Sequence, residues 1–430
     1  MEIFKCSGAF SLIEEESISM ERGCEIILDE ETLSIIPKFE SPMIISYRNI
    51  FSFQDRNFVV ILKIIPNLTI KLIKLGYKYD DFLRIFSSLR NKILIKDLLM
   101  DESIKKTGVN ANFVFYDEKG HEKHKGKCEI KLYETGIVSI PDKGEIIRIP
   151  YSDISDISAE DYSIVMKTDY DEKIVFSMMG MKYDSFKDTL SEIYTELQLK
   201  VQSYLGELLP NTNTMTLMKL ARLMKEGKAA KRSDVESIES ELWNRLEKRI
   251  DIFGIKDGYN FLKKYSMEQK NCIGIKRGLL GDLTGEYIWF MIPIYSNKFG
   301  NAIVIEAASE EGGGKATYFF RIVSRNEYQN LSQEDMNSKI DELIKNINRC
   351  MLAINFRREP IYLSDEMLIE PRYQKYLFAI QKISSLKVLR NLFIGRIIHY
   401  SQEQWENDVI SLLKFNISSK DDNEKWIKEK

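Results

Sequence analysis

Apolar and polar positions alternate along the second quarter of the chain in short runs bounded by turn residues. The runs are Asn112 to Asp117, Gly126 to Leu132, Gly136 to Ile140, Glu145 to Pro150, Asp153 to Ser158, Tyr162 to Thr168 and Glu172 to Met178. A period of two marks a strand with one buried face, so these runs predict seven short strands. The period then changes. Phe186, Leu190, Ile193 and Leu197 follow at helical spacing, which predicts a helix whose single apolar stripe lies on a sheet.

The same pattern has already passed once. Residues 24–97 return as residues 128–201 at a constant offset of 104. Cys24-Glu25-Ile26 matches Cys128-Glu129-Ile130, Ile36-Pro37 matches Ile140-Pro141, and Gly76-x-Lys78-Tyr79-Asp80-x-Phe82 matches Gly180-x-Lys182-Tyr183-Asp184-x-Phe186. The helical stripe recurs as Phe82, Phe86, Leu89 and Ile93. One offset held through strands, turns and a helix indicates a duplicated domain of about 100 residues.

Seven strands closed by one amphipathic helix, with an Ile-Pro turn and the run Ile149-Pro150-Tyr151-Ser152-Asp153-Ile154 leading into the next strand, resembles the pleckstrin-homology (PH)-like superfold, including its GRAM-type members. The resemblance covers residues 1–205 and implies a bent sheet plugged at one end by the helix. It also implies a docking role, because such folds offer a sheet edge and a groove beside the helix to peptides. Paired PH-like domains of histone chaperones bind basic proteins, and lipid-binding PH domains grip inositol phosphates with basic residues of the first inter-strand loop. The place corresponding to that loop holds Lys119, Lys123, Lys125 and Lys127 in the second copy, diluted by Asp117, Glu118 and Glu122. The first copy has Glu14-Glu15-Glu16 at about the same point.

Beyond residue 205 the pattern is different. A linker of turn residues, 205–216, leads to a helical hairpin. Its first helix carries Leu217, Leu220, Leu223 and Met224, and Ser233-Asp234-Val235-Glu236 is a capping box for its second. Strands are predicted at Cys272 to Ile275, Tyr287 to Tyr295, Ala302 to Ala308 and Ala316 to Ser324. Ser332 caps a helix through Met351, and a helical region interrupted near Gly395 runs from Tyr373 to Phe415. The expected fold class is α+β: PH-like repeats at 1–104 and 105–206, a helical hairpin and linker at 207–252, and an α+β domain with an antiparallel sheet and a basic helical end at 253–430.

Composition adds boundaries. With 44% hydrophobic and 30% charged residues in 430, the chain is an ordinary well-packed protein with room for about three domains. No apolar run reaches the roughly 18 residues a membrane helix needs, and the opening Met1-Glu2-Ile3-Phe4-Lys5-Cys6 has no signal-peptide character. Cys6, Cys24, Cys128, Cys272 and Cys350 are scattered and odd in number, which fits reduced thiols and a cytoplasmic location. Residues 1–200 hold 27 basic and 34 acidic side chains, and residues 201–430 hold 35 and 31. The halves therefore differ in sign, which points to different partners or to mutual attraction.

Candidate chemistry is sparse. Glu310-Glu311-Gly312-Gly313-Gly314-Lys315-Ala316-Thr317 lacks the early glycine of a phosphate loop and the hydroxyl after the lysine, and it joins two strands, so a flexible hairpin is expected. His121 and His124 sit in a charged turn without a full ligand set, and His399 has no nearby nucleophile in sequence. No catalytic residue, metal or cofactor is therefore expected. From Pro371 to Gln402 there is no acid, while Arg372, Lys375, Lys382, Lys387, Arg390 and Arg396 recur among aromatic and aliphatic residues. Such a basic amphipathic helix packs on a core with solvated lysines, or meets nucleic acid, an acidic partner or a membrane face. Arg357 and Arg358, with Arg321 and Arg325, are a candidate anion site, or else neutralise a helix end and local acids.

The expectation is a non-enzymatic adaptor that binds protein partners through its duplicated domains. The alternatives are a nucleic-acid-associated protein using the basic C-terminal half, anionic-lipid binding through the second copy, and an uncharacterised enzyme in the C-terminal domain. Peripheral membrane contact ranks below protein and nucleic acid.

Overall fold

The computed structural model describes residues 2–14, 17–18, 20–99, 103–276, 287–296, 300–309, 316–328, 330–418 and 421–426. The protein is α+β and divides into two compact units, Met1–Thr189 with Ser364–Lys382, and Leu190–Leu363 with Ile383–Lys430. The 364–382 segment thus groups with the repeats, although it lies within the 253–430 region in sequence.

The first unit holds both copies. Copy one comprises β1 (Phe4–Glu14), β2 (Ser17–Ile18), β3 (Arg22–Leu28), β4 (Thr32–Pro37), β5 (Met43–Ser46), β6 (Ile50–Arg56), β7 (Val59–Ile64), β8 (Leu68–Ile73) and helix α1 (Tyr79–Leu99). Its sheet order is β5-β4-β3-β1-β8-β7-β6, with β2 paired to β1. Copy two comprises β9 (Ile104–Tyr116), β10 (Glu122–Tyr133), β11 (Gly136–Pro141), β12 (Ile147–Pro150), β13 (Ile154–Glu160), β14 (Ser163–Thr168), β15 (Lys173–Ser177) and helix α2 (Tyr183–Leu208). Its order, β12-β11-β10-β9-β15-β14-β13, traces the same path. This is the arrangement expected of tandem PH-like domains.

The alternation seen in sequence becomes one-sided burial. Ile26 and Leu28, Leu33 and Ile35, Val60 and Leu62, and Ile70 and Leu72 are wholly buried, and Phe82, Phe86, Leu89 and Ile93 of α1 close the same core. The entry to each helix needs glycine. Gly76 and Gly180 have φ of +56° and +58°, a conformation that costs glycine little and other residues more, and the helix begins three residues later at Tyr79 or Tyr183. In copy two the stripe is buried most deeply at its start. Phe186 and Leu190 are buried, Ile193 and Leu197 only partly, and farther along α2 Val201, Tyr204 and Leu205 join the core of the second unit.

Charge ties the copies together. Arg90 on α1 is fully buried, and a guanidinium out of water must find a counter-charge. It donates to Glu145 at 2.7 Å, on the turn before β12, and to the carbonyl of Ile50 at 2.9 Å. Burial pushes its pKa down while the Glu145 charge holds it up. Asn91 donates to the Gly144 carbonyl at 2.9 Å, and Lys143 pairs with Asp80 at 2.7 Å. The 364–382 segment completes the cluster. Lys382 reaches Glu145 at 2.7 Å and the Phe51 carbonyl at 2.8 Å, and Phe378 enters the copy-one core with its ring 5.2 Å from the Arg90 guanidinium.

The second unit is built on one antiparallel sheet in chain order: β16 (Ala229–Lys231), β17 (Cys272–Lys276), β18 (Tyr287–Ser296), β19 (Gly300–Ser309), β20 (Ala316–Arg321) and β21 (Phe393–Ile398). Every residue of β17 is buried, because both sheet faces are covered. One face packs Phe290 with Tyr259, Trp243 and Trp405. On the other, Trp289 meets Phe356 edge-on and donates to the Gly227 carbonyl at 3.1 Å.

Three expectations are corrected here. The basic stretch 371–402 is not one helix: Leu377–Lys382 and Ser384–Leu392 are short helices, and 393–398 is the edge strand β21. Ile394, Ile397 and Ile398 around Gly395 are poor helix formers, and pairing with β20 decides their state. The hairpin at 207–252 contains the strand β16, which pairs with β17. That strand runs straight into the helix Arg232–Ile238, so Lys231 occupies the cap position, and Ser233 donates to Asp234 instead. Among the described residues no helix is long and apolar enough to cross a membrane.

Glu145→Gln is expected to destabilise the first unit by about 3 kcal/mol, because it leaves the buried Arg90 charge without its partner. Lys382→Ala removes a partly exposed charge and is expected to cost about 1 kcal/mol. Urea denaturation of the full chain, followed by a probe in the repeats, measures both; equal losses would contradict this account of the cluster.

Candidate functional site

An unusual local geometry of the first unit occurs twice. The β6–β7 hairpin pairs Arg56 with Val59, leaving a two-residue loop of Asn57 and Phe58 at φ +50° and +61°. In copy two Glu160 pairs with Ser163 around Asp161 and Tyr162 at φ +45° and +56°. Two positive φ values make these tight turns of the kind that match strand twist and that favour Asn-Gly or Asp-Gly. Asn57 and Asp161 fit that preference, whereas an aromatic takes the glycine place in both copies. Holding a bulky residue there costs on the order of 1 kcal/mol.

Both rings are open to solvent on one side. Phe58 is 73% exposed and Tyr162 79% exposed. The other side of each rests on the first residue of the closing helix, with Phe58 5.2 Å from Tyr79 and Tyr162 5.6 Å from Tyr183. Tyr79 and Tyr183 are themselves buried, so each exposed ring stands on a fixed base. The glycine turn just before the helix adds exposed side chains at Tyr77 in copy one and at Met178 and Met181 in copy two. Each copy thus carries an apolar corner beside the start of its helix.

The lysine-rich segment of copy two is mostly strand. The turn is confined to residues 117–121, and Lys123, Lys125 and Lys127 lie on β10. Lys123 pairs with Asp117 at 3.0 Å and Lys125 with Glu122 at 2.8 Å, while Lys119 and Lys127 are exposed. Lys123 and two backbone amides hold the Asp117 carboxyl well below the usual carboxylate range, at about 2. Beside it a cavity of about 350 Å³ is lined by residues of both signs, including Asp117, Lys167, Asp171 and Lys173. His121 lies 3.6 Å from Asp117, and His124 lies against Phe115. The side chains of Glu14, Glu15 and Glu16 in copy one lie outside the described residues.

Burial pushes the Cys24 and Cys128 thiols, at matched places in the repeats, up to about 11, as expected of packed strand residues. The acid-free stretch is shared between the units. In the first, Arg372 pairs with Glu370 at 2.9 Å, Lys375 lies over Tyr376, and Lys382 belongs to the Glu145 cluster. In the second, Lys387 is exposed and Arg390 donates to the carbonyls of Pro360 and Leu363 at 2.7 and 2.9 Å.

The expected arginine quartet is divided. Arg321 is buried and donates to Asn416 at 2.9 Å, and it pairs with Asp422 at 2.8 Å. Arg325 opens a short helix, and its side chain lies outside the described residues. Arg358 turns to the opposite face of β20 from Arg321, over the ring of Tyr318, with Arg357 next to it partly exposed. Arg396 joins Arg358 on that face, a grouping not read from the sequence. Residues 310–315 of the glycine-rich loop also lie outside the described residues.

His399 finds polar partners that its sequence neighbours do not suggest. Its Nε2 is 3.1 Å from Glu306 and 2.9 Å from the Thr317 hydroxyl, and its ring stacks on Trp405. Thr317 donates to Glu306 at 2.7 Å and accepts from the Trp405 indole at 2.9 Å. Thr317 is fully buried, so its hydroxyl is enclosed by these three partners.

Neither a family model nor a curated protein matches this chain. Among solved structures it is similar to one described as "Structure of the Spt16D Pob3N heterodimer", at 13% identity over 39% of this chain and 85% of that chain, with a TM-score of 0.16. A likeness that loose carries no argument. The PH-like description rests on the strand order and closing helix of each copy.

Replacing Phe58 with Gly relieves the turn and removes a ring contact worth about 1 kcal/mol, so stability is expected to stay within about 1 kcal/mol of the parent. Phe58→Val puts a β-branched residue at the same positive φ and is expected to lose about 2 kcal/mol. Thermal unfolding of the two variants gives the comparison.

Proposed function

We propose that the chain is a non-enzymatic scaffold that docks protein partners through the duplicated apolar corners of its PH-like domains. The observation that carries this reading is the exposed aromatic at positive φ in both copies, Phe58 and Tyr162. Glycine would satisfy each turn with less strain. An aromatic held outward on a buried base is costly to keep, and it suits binding, because aromatic anchors dominate the energetics of protein interfaces.

Two anchors on one compact unit allow a partner with two matching pockets to bind with avidity. The acidic balance of residues 1–200, 27 basic against 34 acidic side chains, favours a partner surface that combines apolar pockets with basic residues. The differing surroundings, Tyr77 in one copy and Met178 with Met181 in the other, suit two different pockets better than two identical ones. Among the described residues the Thr317 hydroxyl is enclosed by His399, Glu306 and Trp405, which favours a structural role for that cluster.

The Phe58→Gly/Tyr162→Gly double variant tests the proposal. Its affinity for a partner first captured by the parent is expected to fall at least tenfold beyond either single variant, with thermal stability little changed. Unchanged affinity in a folded double variant would remove the docking role of these corners.

A further inference from the structure

The second unit holds a pair of arginines whose charges lack an acidic partner among the described residues. The helix Gln333–Ala353 ends in a chain reversal, where Asn355 and Phe356 take φ of +47° and +57°, and this delivers Arg358 to the face of β20 that carries Tyr318. The short helix Glu359–Tyr362 then brings Tyr362 to the same place. Arg396 arrives from the edge strand β21 as the direct cross-strand neighbour of Tyr318. Two positions read in sequence as members of different groups therefore meet.

The geometry is that of two guanidiniums supported by two rings. Arg396 lies over Tyr362 at 4.0 Å and Arg358 over Tyr318 at 5.6 Å, and the rings stack 6.2 Å apart at 30°. Tyr318 is buried, Arg358 and Tyr362 are partly exposed, and Arg396 is exposed, so the pair opens to solvent above a fixed floor. Burial raises the pKa of the Tyr318 hydroxyl, whereas both arginines act on it in the opposite direction, which places the two charges around one point. Arg396 also hydrogen-bonds that hydroxyl.

Among the described residues, neither Arg358 nor Arg396 has a carboxylate within ion-pair distance. That sets them apart from Arg48, Arg90, Arg232 and Arg321, each of which is paired with an acid. A guanidinium lying on an aromatic face keeps its planar edge of N–H donors free, and loses little freedom when that edge meets two oxygens of an anion. Like charges gathered round one hydroxyl without a counter-ion repel each other, and a bound dianion would remove that repulsion. Only an anion with several oxygens satisfies both forks at once.

We propose that Arg358 and Arg396 form a clasp for a phosphate group, either free or as a small soluble monoester, with the Tyr318 hydroxyl between them. Both Tyr faces are already in use, by the arginines and by each other, so the site reads the phosphoryl group and leaves the rest of the ligand to the surroundings. This site is independent of the docking corners of the first unit.

Isothermal titration of the full chain at low salt, with inorganic phosphate and with phenyl phosphate as probes, tests the clasp. Saturable binding of either probe is expected, with at least a tenfold loss in Arg396→Ala and in Arg358→Ala. Arg396→Lys should recover only part of it, because an ammonium cannot make the two-point contact. Arg372→Ala, which removes an arginine paired with Glu370, should bind as the parent does. If phenyl phosphate binds and inorganic phosphate does not, the site takes the monoester; equal binding assigns it to the phosphoryl group alone. No saturable binding of either probe, or equal losses in Arg372→Ala and Arg396→Ala, would overturn the proposal. Unchanged thermal unfolding of Arg396→Ala, whose side chain is exposed, separates loss of binding from loss of fold.

Discussion

A guanidinium with no exposed surface has to find its counter-charge inside the protein, and for Arg90 the carboxylate comes from the other copy of the repeat. Glu145 belongs to a turn of the second sheet, Arg90 to the helix that closes the first. Neither copy satisfies its own group. Lys382 then brings a second positive charge to the same carboxylate, from a segment nearly 240 residues away in sequence from Glu145. Hydrophobic contacts follow the same path, since Phe378 fills the copy-one core beside Arg90. The repeats are thus held by a contact with defined partners and directions, whereas two separate domains on a flexible linker would leave Arg90 buried without its acid.

For the docking role proposed above, that rigidity lets the two exposed corners act together. A duplicated anchor raises affinity only if both anchors can be engaged together, which a fixed pair of domains allows. The duplication kept the parts that shape each copy: the positive-φ glycines, the buried stripe at the helix start and the tight turn that joins β6 to β7 in one and β13 to β14 in the other. It also kept an aromatic at the tip of that turn, where folding alone favours glycine. Around this shared anchor the copies diverge, with Tyr77 in one and Met178 and Met181 in the other.

Much of the frame was legible in sequence because it depends on local rules. Period-two alternation reports one-sided burial, and it marks all seven strands of copy two. The glycine in Gly-x-Lys-Tyr-Asp-x-Phe reports a backbone angle, and it sits where that angle occurs. Tertiary partners were not legible. Ile394, Ile397 and Ile398 read as part of a helix because the sheet edge that claims them lies about 75 residues earlier in the chain, at Ala316–Phe320. Arg358 and Arg396 read as members of separate groups for the same reason. The aromatic corners did leave a trace: Asn57-Phe58 and Asp161-Tyr162 align at the repeat offset, with a turn former followed by an aromatic. The signal lies in the turn residues that the copies share at the repeat offset, outside the strands.

On the proposed function, one partner engages both repeats at their aromatic turns. Hydrogen exchange on the full chain, free and bound to a captured partner, tests it most directly. The account predicts slowed exchange at residues 55–60 and 159–164 together, with the same dependence on partner concentration. Protection confined to one copy, or found only in the second unit, would contradict it.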